Sequence, residues 1–166
     1  MMKKILLAVT AASLLSACGF TPMHGASLGA NADKFEDVSI QINDGRDAGD
    51  KEAGFLVMQR LRDRIGENTG KQILELTPKL QRQRLGISAD DVASRYDSIL
   101  EVDYKLLDAK TGKILDRGRV KGTSTFGAPI DPYGIVAADN NAKQQTAKEV
   151  ADRLLVKLAG YYAENP

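Results

Sequence analysis

The chain has no tryptophan, one cysteine and one histidine in 166 residues. Each scarcity closes a class of function. A zinc site takes three or four ligands, mostly His and Cys, and Cys18 and His24 supply one of each, so no metal is expected. Nucleophilic catalysis pairs Ser, Cys or Thr with a base, yet the only imidazole stands in a Gly- and Ala-rich stretch. The triplets Thr69–Lys71 and Thr111–Lys113 are not phosphate loops, because Gln72 and Ile114 stand where Ser or Thr is needed and the upstream glycine is missing. Asp44, Asp47 and Asp50 lack the every-second-residue spacing of a calcium loop and read as a solvated turn. With 23 basic and 22 acidic side chains there is no global charge to attract nucleic acid. No enzyme and no cofactor is expected.

Long apolar runs are scarce too. The one sustained stretch, Ile5 to Leu15, follows Lys3 and Lys4 and is shorter than the roughly 20 residues of a membrane-spanning helix. It reads as the core of a secretory signal. The order Leu15-Ser16-Ala17-Cys18 resembles the lipobox of bacterial lipoproteins, in which cleavage falls before the cysteine and the thiol is acylated. The resemblance implies a cleaved leader over 1–17 and a lipid on Cys18, S-diacylglycerol with N-palmitoyl. A plain signal peptide, or a buried core thiol, is the blander alternative. Loss of Lys3 and Lys4 takes the net charge from +1 to −1. Gly19, rather than Asp, follows the cysteine, which implies sorting to the outer membrane.

Residues 18–36 read as a flexible tether and 37–163 as the folded body. Val38, Ile40 and Ile42 alternate with polar residues and predict a strand. Phe55, Met58, Leu61 and Ile65 recur at three- and four-residue steps and predict a helix from about Lys51 to Asn68. Leu74, Leu76 and Leu80 predict a second strand with Pro78 at an edge or bulge, followed by a turn-rich 86–94. Leu100 to Leu106 and residues 114–126 predict a hairpin, with Gly112 at positive φ in a bulged turn that pairs Ala109 with Lys113. A long helix, about 135–162, carries Ala147, Val150, Leu154, Leu158 and Tyr161 on one stripe. The order βαβββα predicts an α+β two-layer sandwich, a mixed four-stranded sheet with both helices on one face.

The other face of the sheet carries the basic residues. Arg117, Arg119 and Lys121 share one parity, and the predicted register places Lys105 near Arg117, Asp103 opposite Arg119 and Glu101 opposite Lys121. Two readings stand side by side. The charges are exposed cross-strand pairs of small energetic weight, or they form an anion-binding face in which Lys105 and Arg117 lack acidic partners and Lys79, Arg82 and Arg84 add cations.

The stretch CGFTP at residue 18, the hairpin SRYDSILEVDYKLLDAKTGKILDRGRVKGTSTF and the Ala-rich helix from Tyr133 to Tyr162 resemble the LptE family of lipopolysaccharide-assembly lipoproteins. The resemblance implies two helices on a four-stranded sheet, attached to the outer membrane by its lipid. It also implies a 1:1 complex with the LptD β-barrel, which the body plugs while helping lipopolysaccharide into the outer leaflet. The contacts to lipopolysaccharide would be basic side chains, for which Arg117, Arg119, Lys121 and Lys105 are the candidates here. Another periplasm-facing lipoprotein adaptor, such as an auxiliary subunit of an ABC-type lipid transporter, is the alternative.

Overall fold

In the computed structural model, residues 35–43, 45–66, 70–87, 93–127, 129 and 131–165 are described. Among the described residues six elements follow in chain order: β1 (Val38–Ile42), α1 (Ala48–Ile65), β2 (Gln72–Ile87), β3 (Ala93–Asp108), β4 (Ile114–Gly127) and α2 (Pro132–Glu164). The sheet order is β1-β2-β3-β4, with β1 parallel to β2 and the other neighbours antiparallel. α1 packs on β1 and β2, α2 packs on β3 and β4, and the helices touch each other. This is the mixed-sheet, two-layer sandwich in the order βαβββα that the pattern predicts.

Burial follows the strand period. Leu74 and Leu76 of β2, Leu100, Val102, Tyr104 and Leu106 of β3, and Val120 and Phe126 of β4 are buried on the helix side. The alternating residues face the other way, so one face of the sheet is core and one is open.

Helix ends match local chemistry, but the buried faces turn. Asp47 caps α1 by accepting from the Asp50 N–H at 2.9 Å, and Asp131 caps α2 by accepting from the Gly134 N–H at 2.7 Å, with Pro132 in the first turn. α1 ends at Ile65, with Gly66 rather than Asn68 as its stop. It buries Ala53, Gly54, Val57, Leu61 and Ile65, while Phe55, expected in the core, is 55% exposed. In α2 the buried aromatic is Tyr162, not Tyr161. Phe35, assigned to the tether by sequence, is 1% exposed and meets the Tyr162 ring edge-on at 5.3 Å. The leader and residues 18–34, Cys18 among them, lie outside the described residues.

Two turn regions differ from expectation. Asp50 is not a solvated turn residue but is 3% exposed. One carboxylate oxygen accepts from the Leu80 N–H at 2.6 Å and the other from the Arg46 N–H at 3.0 Å. β1 pairs only as far as Leu76, so β2 beyond it is an edge, and Asp50 satisfies a donor that no strand reaches. Pro78 lies on the same edge, where its missing N–H costs nothing. Asp44 lies outside the described residues. In the hairpin, Gly112 has φ +67, as expected. The extra residue is Leu115, however, because Leu106 pairs with Asp116 and Leu107 with Ile114. Asp108 and Lys113 close the loop, and the bulge one step later restores the predicted register. The strands around 86–94 run to Ile87 and restart at Ala93, and residues 88–92 lie outside the described set.

Candidate functional site

The basic residues meet on the open face. The register sets Glu101 opposite Lys121, Asp103 opposite Arg119 and Lys105 opposite Arg117. These are non-hydrogen-bonded pairs. The outward backbone groups of Leu76 and Leu80 fix the alternation across β2 and β3, and such pairs bring side chains closest together.

The four candidates are not equivalent. Arg119 is held by Asp103, whose two oxygens accept from its Nε at 2.6 Å and its Nη2 at 3.1 Å. That fork keeps the guanidinium more firmly charged, with Glu101 adding a smaller pull. Lys121 has Glu101 across from it. Lys105 and Arg117 instead face each other as like charges, and neither makes an ion pair among the described residues. One correction applies to them. Lys105 is flanked on its other side by Glu75 of β2, so an acid does stand opposite it in the hydrogen-bonded register. Lys79 shares the open face, opposite Glu101. Arg82 and Arg84 have the other parity and do not join it. Arg82 reaches Asp139 of α2 at 3.6 Å and lies over the Tyr96 ring at 5.3 Å.

Glu75, Thr77, Asp103, Lys105, Arg117 and Arg119 line an open groove of about 490 Å³, with Tyr104 and Gly118 in its wall. Gly118 stands opposite Tyr104. A Cβ at Gly118 would lie 3.0 Å from the Tyr104 ring, so the aromatic fills the space a side chain would take. The Tyr104 hydroxyl donates to Asp116 Oδ2 at 3.1 Å. Sequence reading passed over this trio. The available signal was a glycine in a strand paired with an aromatic.

Burial, reinforced by the Asp116 carboxylate, pushes the Tyr104 phenol up to about 12. Burial likewise raises Tyr162. A phenol with a raised folded pKa favours its neutral form, so its contribution to stability is full below pH 10 and is lost as pH rises from 10 toward 12. Absorbance at 295 nm during alkaline titration should therefore show a late-ionising phase, and Tyr104→Phe should remove part of it. An unchanged late phase in that variant would count against the half-buried Tyr104–Asp116 bond.

Among the described residues no cluster of His, Cys, Asp and Glu is placed to hold a metal ion, and no helix is long and apolar enough to cross a membrane. What the groove offers is three cations, Lys105, Arg117 and Arg119, beside two acids, Glu75 and Asp103. Comparison with known proteins assigns its setting. A family model described as LptE, lipopolysaccharide-assembly, matches residues 35–159. The chain belongs to the LptE family. Membership gives it a role in lipopolysaccharide assembly and places it among assembly lipoproteins rather than enzymes.

Solved structures agree with LptE membership. A crystal structure from Caulobacter crescentus, described as a lipoprotein, is 27% identical with a TM-score of 0.63, covering 81% of this chain and 96% of that one. The rare lipoprotein B of Shewanella oneidensis has 19% identity and a TM-score of 0.56, covering 76% and 96%. A lipoprotein B from Nitrosomonas europaea has 14% identity and a TM-score of 0.58, covering 78% and 85%; at such identities the last two show the fold alone. Comparison with curated proteins finds no match.

Proposed function

We propose that this LptE-family protein is an outer-membrane lipoprotein, anchored through Cys18 after removal of residues 1–17 and tethered by the segment that follows. Its body plugs an LptD-like β-barrel in a 1:1 complex and helps lipopolysaccharide reach the outer leaflet. Lys105 and Arg117 make the first contact with lipopolysaccharide phosphates, and Arg119 and Lys121 strengthen the field around them.

The observation that carries the ligand assignment is the Lys105–Arg117 pair. Like charges directly opposite on neighbouring strands destabilise a sheet. A phosphate between them reverses the sign of that interaction, and Arg presents it with a planar two-pronged donor. Arg119 already gives two of its five N–H donors to Asp103 and has less to offer.

Replacing Lys105 and Arg117 together by Gln should weaken lipopolysaccharide binding about tenfold, which is roughly 1.4 kcal/mol. Two exposed charge-assisted contacts are enough to supply that much. Folding should be unchanged or slightly firmer, since a repulsion is removed. Glu75→Gln should leave binding equal or tighter, and added salt should weaken it in the wild type. Undiminished binding in the double variant would remove the anion-binding role from this face. Purification of the acylated protein from outer membranes should bring a large β-barrel with it in equal amount. Recovery with a transporter ATPase complex instead would favour the adaptor alternative.

A further inference from the structure

β4 is an edge strand, and one part of its edge is covered while another is not. The Thr123 N–H points outward and donates to Glu149 Oε2 of α2 at 3.0 Å. Backbone groups alternate sides along an antiparallel strand. Arg117, Arg119 and Lys121 share the parity of Thr123, so their N–H and C=O groups also point outward. No partner for them stands among the described residues. The uncovered length is bounded by the Leu115 bulge at one end and the Glu149 cap at the other.

Beside this open length runs a second groove, of about 390 Å³, between β4 and the last turns of α2. Its helix wall is formed by Val156, Lys157, Gly160, Tyr161 and Glu164. Val156 is 48% exposed, and a Cβ at Gly160 would meet nothing within 4 Å. A strand edge flanked by a helix with room at Gly160 and apolar surface at Val156 and Tyr161, between the charged Lys157 and Glu164, is a geometry in which an extended peptide adds to a sheet.

We propose that β4 from Asp116 to Gly122 receives an extended segment of a partner protein in which apolar and acidic residues alternate. Main-chain bonds form to Arg117, Arg119 and Lys121. Alternate side chains of the segment then fall on opposite sides. Those beside the basic row are acidic, and those facing α2 are apolar, seated against Val156, Gly160 and Tyr161. The charges also exclude the commonest competitor. A second copy pairing β4 with β4 would set Arg117, Arg119 and Lys121 against one another, which like-charge repulsion disfavours. The inference does not depend on lipopolysaccharide binding, because its main-chain bonds run along the β4 edge, although its acidic side chains meet the same basic row.

The acylated protein in detergent can be titrated with a labelled, terminally blocked Val-Glu-Val-Glu-Val-Glu-Val peptide and with its Val-Lys counterpart. The Glu peptide should bind at least tenfold more tightly, and amide exchange at Arg117, Arg119 and Lys121 should slow in its presence. Arg119→Pro removes an outward donor without touching the ladder to β3 and should abolish binding, whereas Arg119→Ala should retain most of it. Where Arg119→Pro does not fold, Gly160→Gln narrows the helix wall, leaves β4 intact, and should itself abolish binding. Equal binding of the two peptides, or binding without slowed exchange at the three amides, would overturn the proposal. So would concentration-dependent dimerisation that protects the same amides, which would make a second copy the occupant.

Discussion

Leu154→Ala should lower the stability of the folded body by about 2–5 kcal/mol. Leu154 is fully buried in the middle of the Val150–Leu158 stripe, on the helix that covers β3 and β4. Truncation removes the transfer energy of the lost carbons and leaves a cavity, whose cost depends on how far the surroundings can close. Here they have little room. A Cβ placed on Gly122 would lie 2.9 Å from Val150 Cγ2 and 3.0 Å from the Thr146 carbonyl oxygen, so helix and strand are already in close approach one turn away. Urea unfolding should show the loss as a lower midpoint with an unchanged slope. Val156→Ala, on the exposed side of the same helix, should cost well under 1 kcal/mol and serves as the control. A loss below about 1 kcal/mol for Leu154→Ala would mean that α2 is not docked as described.

The strands were legible because period-two alternation records which face is buried, and one face of each strand is. The helix faces were less so. Reading α1 by its large apolar residues selects Phe55 and Met58, but the sheet approaches along Ala53 and Gly54. A Cβ on Gly54 would lie 2.8 Å from Pro78 Cγ and 3.3 Å from Ile42 Cγ2. Small residues win there because two strands press against the helix backbone, a fact of tertiary distance that no local period contains. Phe35 and Asp50 were misplaced for the same reason. One packs against Tyr162 and the other binds the Leu80 N–H, partners remote in sequence.

The site divides along the same line. The β3–β4 register follows from a short hairpin and from matching Val102 to Val120, so the Lys105–Arg117 and Asp103–Arg119 oppositions are legible in the sequence. In the loop the extra residue is Leu115 rather than one in the Gly112 turn, and the register beyond it is the same. The β2–β3 register crosses a longer connection, and there the Glu75–Lys105 opposition was missed. Arg82 and Arg84 are neighbours of Lys79 in sequence but have the other parity, and Asp139 explains where Arg82 goes.

Cys18→Ala should remove the protein from the outer membrane altogether, the largest functional effect expected of any single substitution. Cys18 lies outside the described residues, so the expectation rests on the chain's order of charged, apolar and small residues before its only thiol. A diacylglycerol brings two acyl chains at about 0.8 kcal/mol per buried CH₂, whereas a single chain gives only marginal, reversible attachment. Without the thiol neither chain can be added, and among the described residues no helix is long and apolar enough to cross a bilayer. The variant should appear in the soluble fraction or as an uncleaved precursor. Mass spectrometry of the wild-type N-terminus should find acyl groups on residue 18. The link to the body is short, since the chain from Cys18 to the buried Phe35 spans at most roughly 60 Å when extended. Acylated protein that fractionates with inner-membrane markers would leave the anchor standing and overturn the sorting assigned to Gly19. An unmodified Cys18 would overturn the anchor itself.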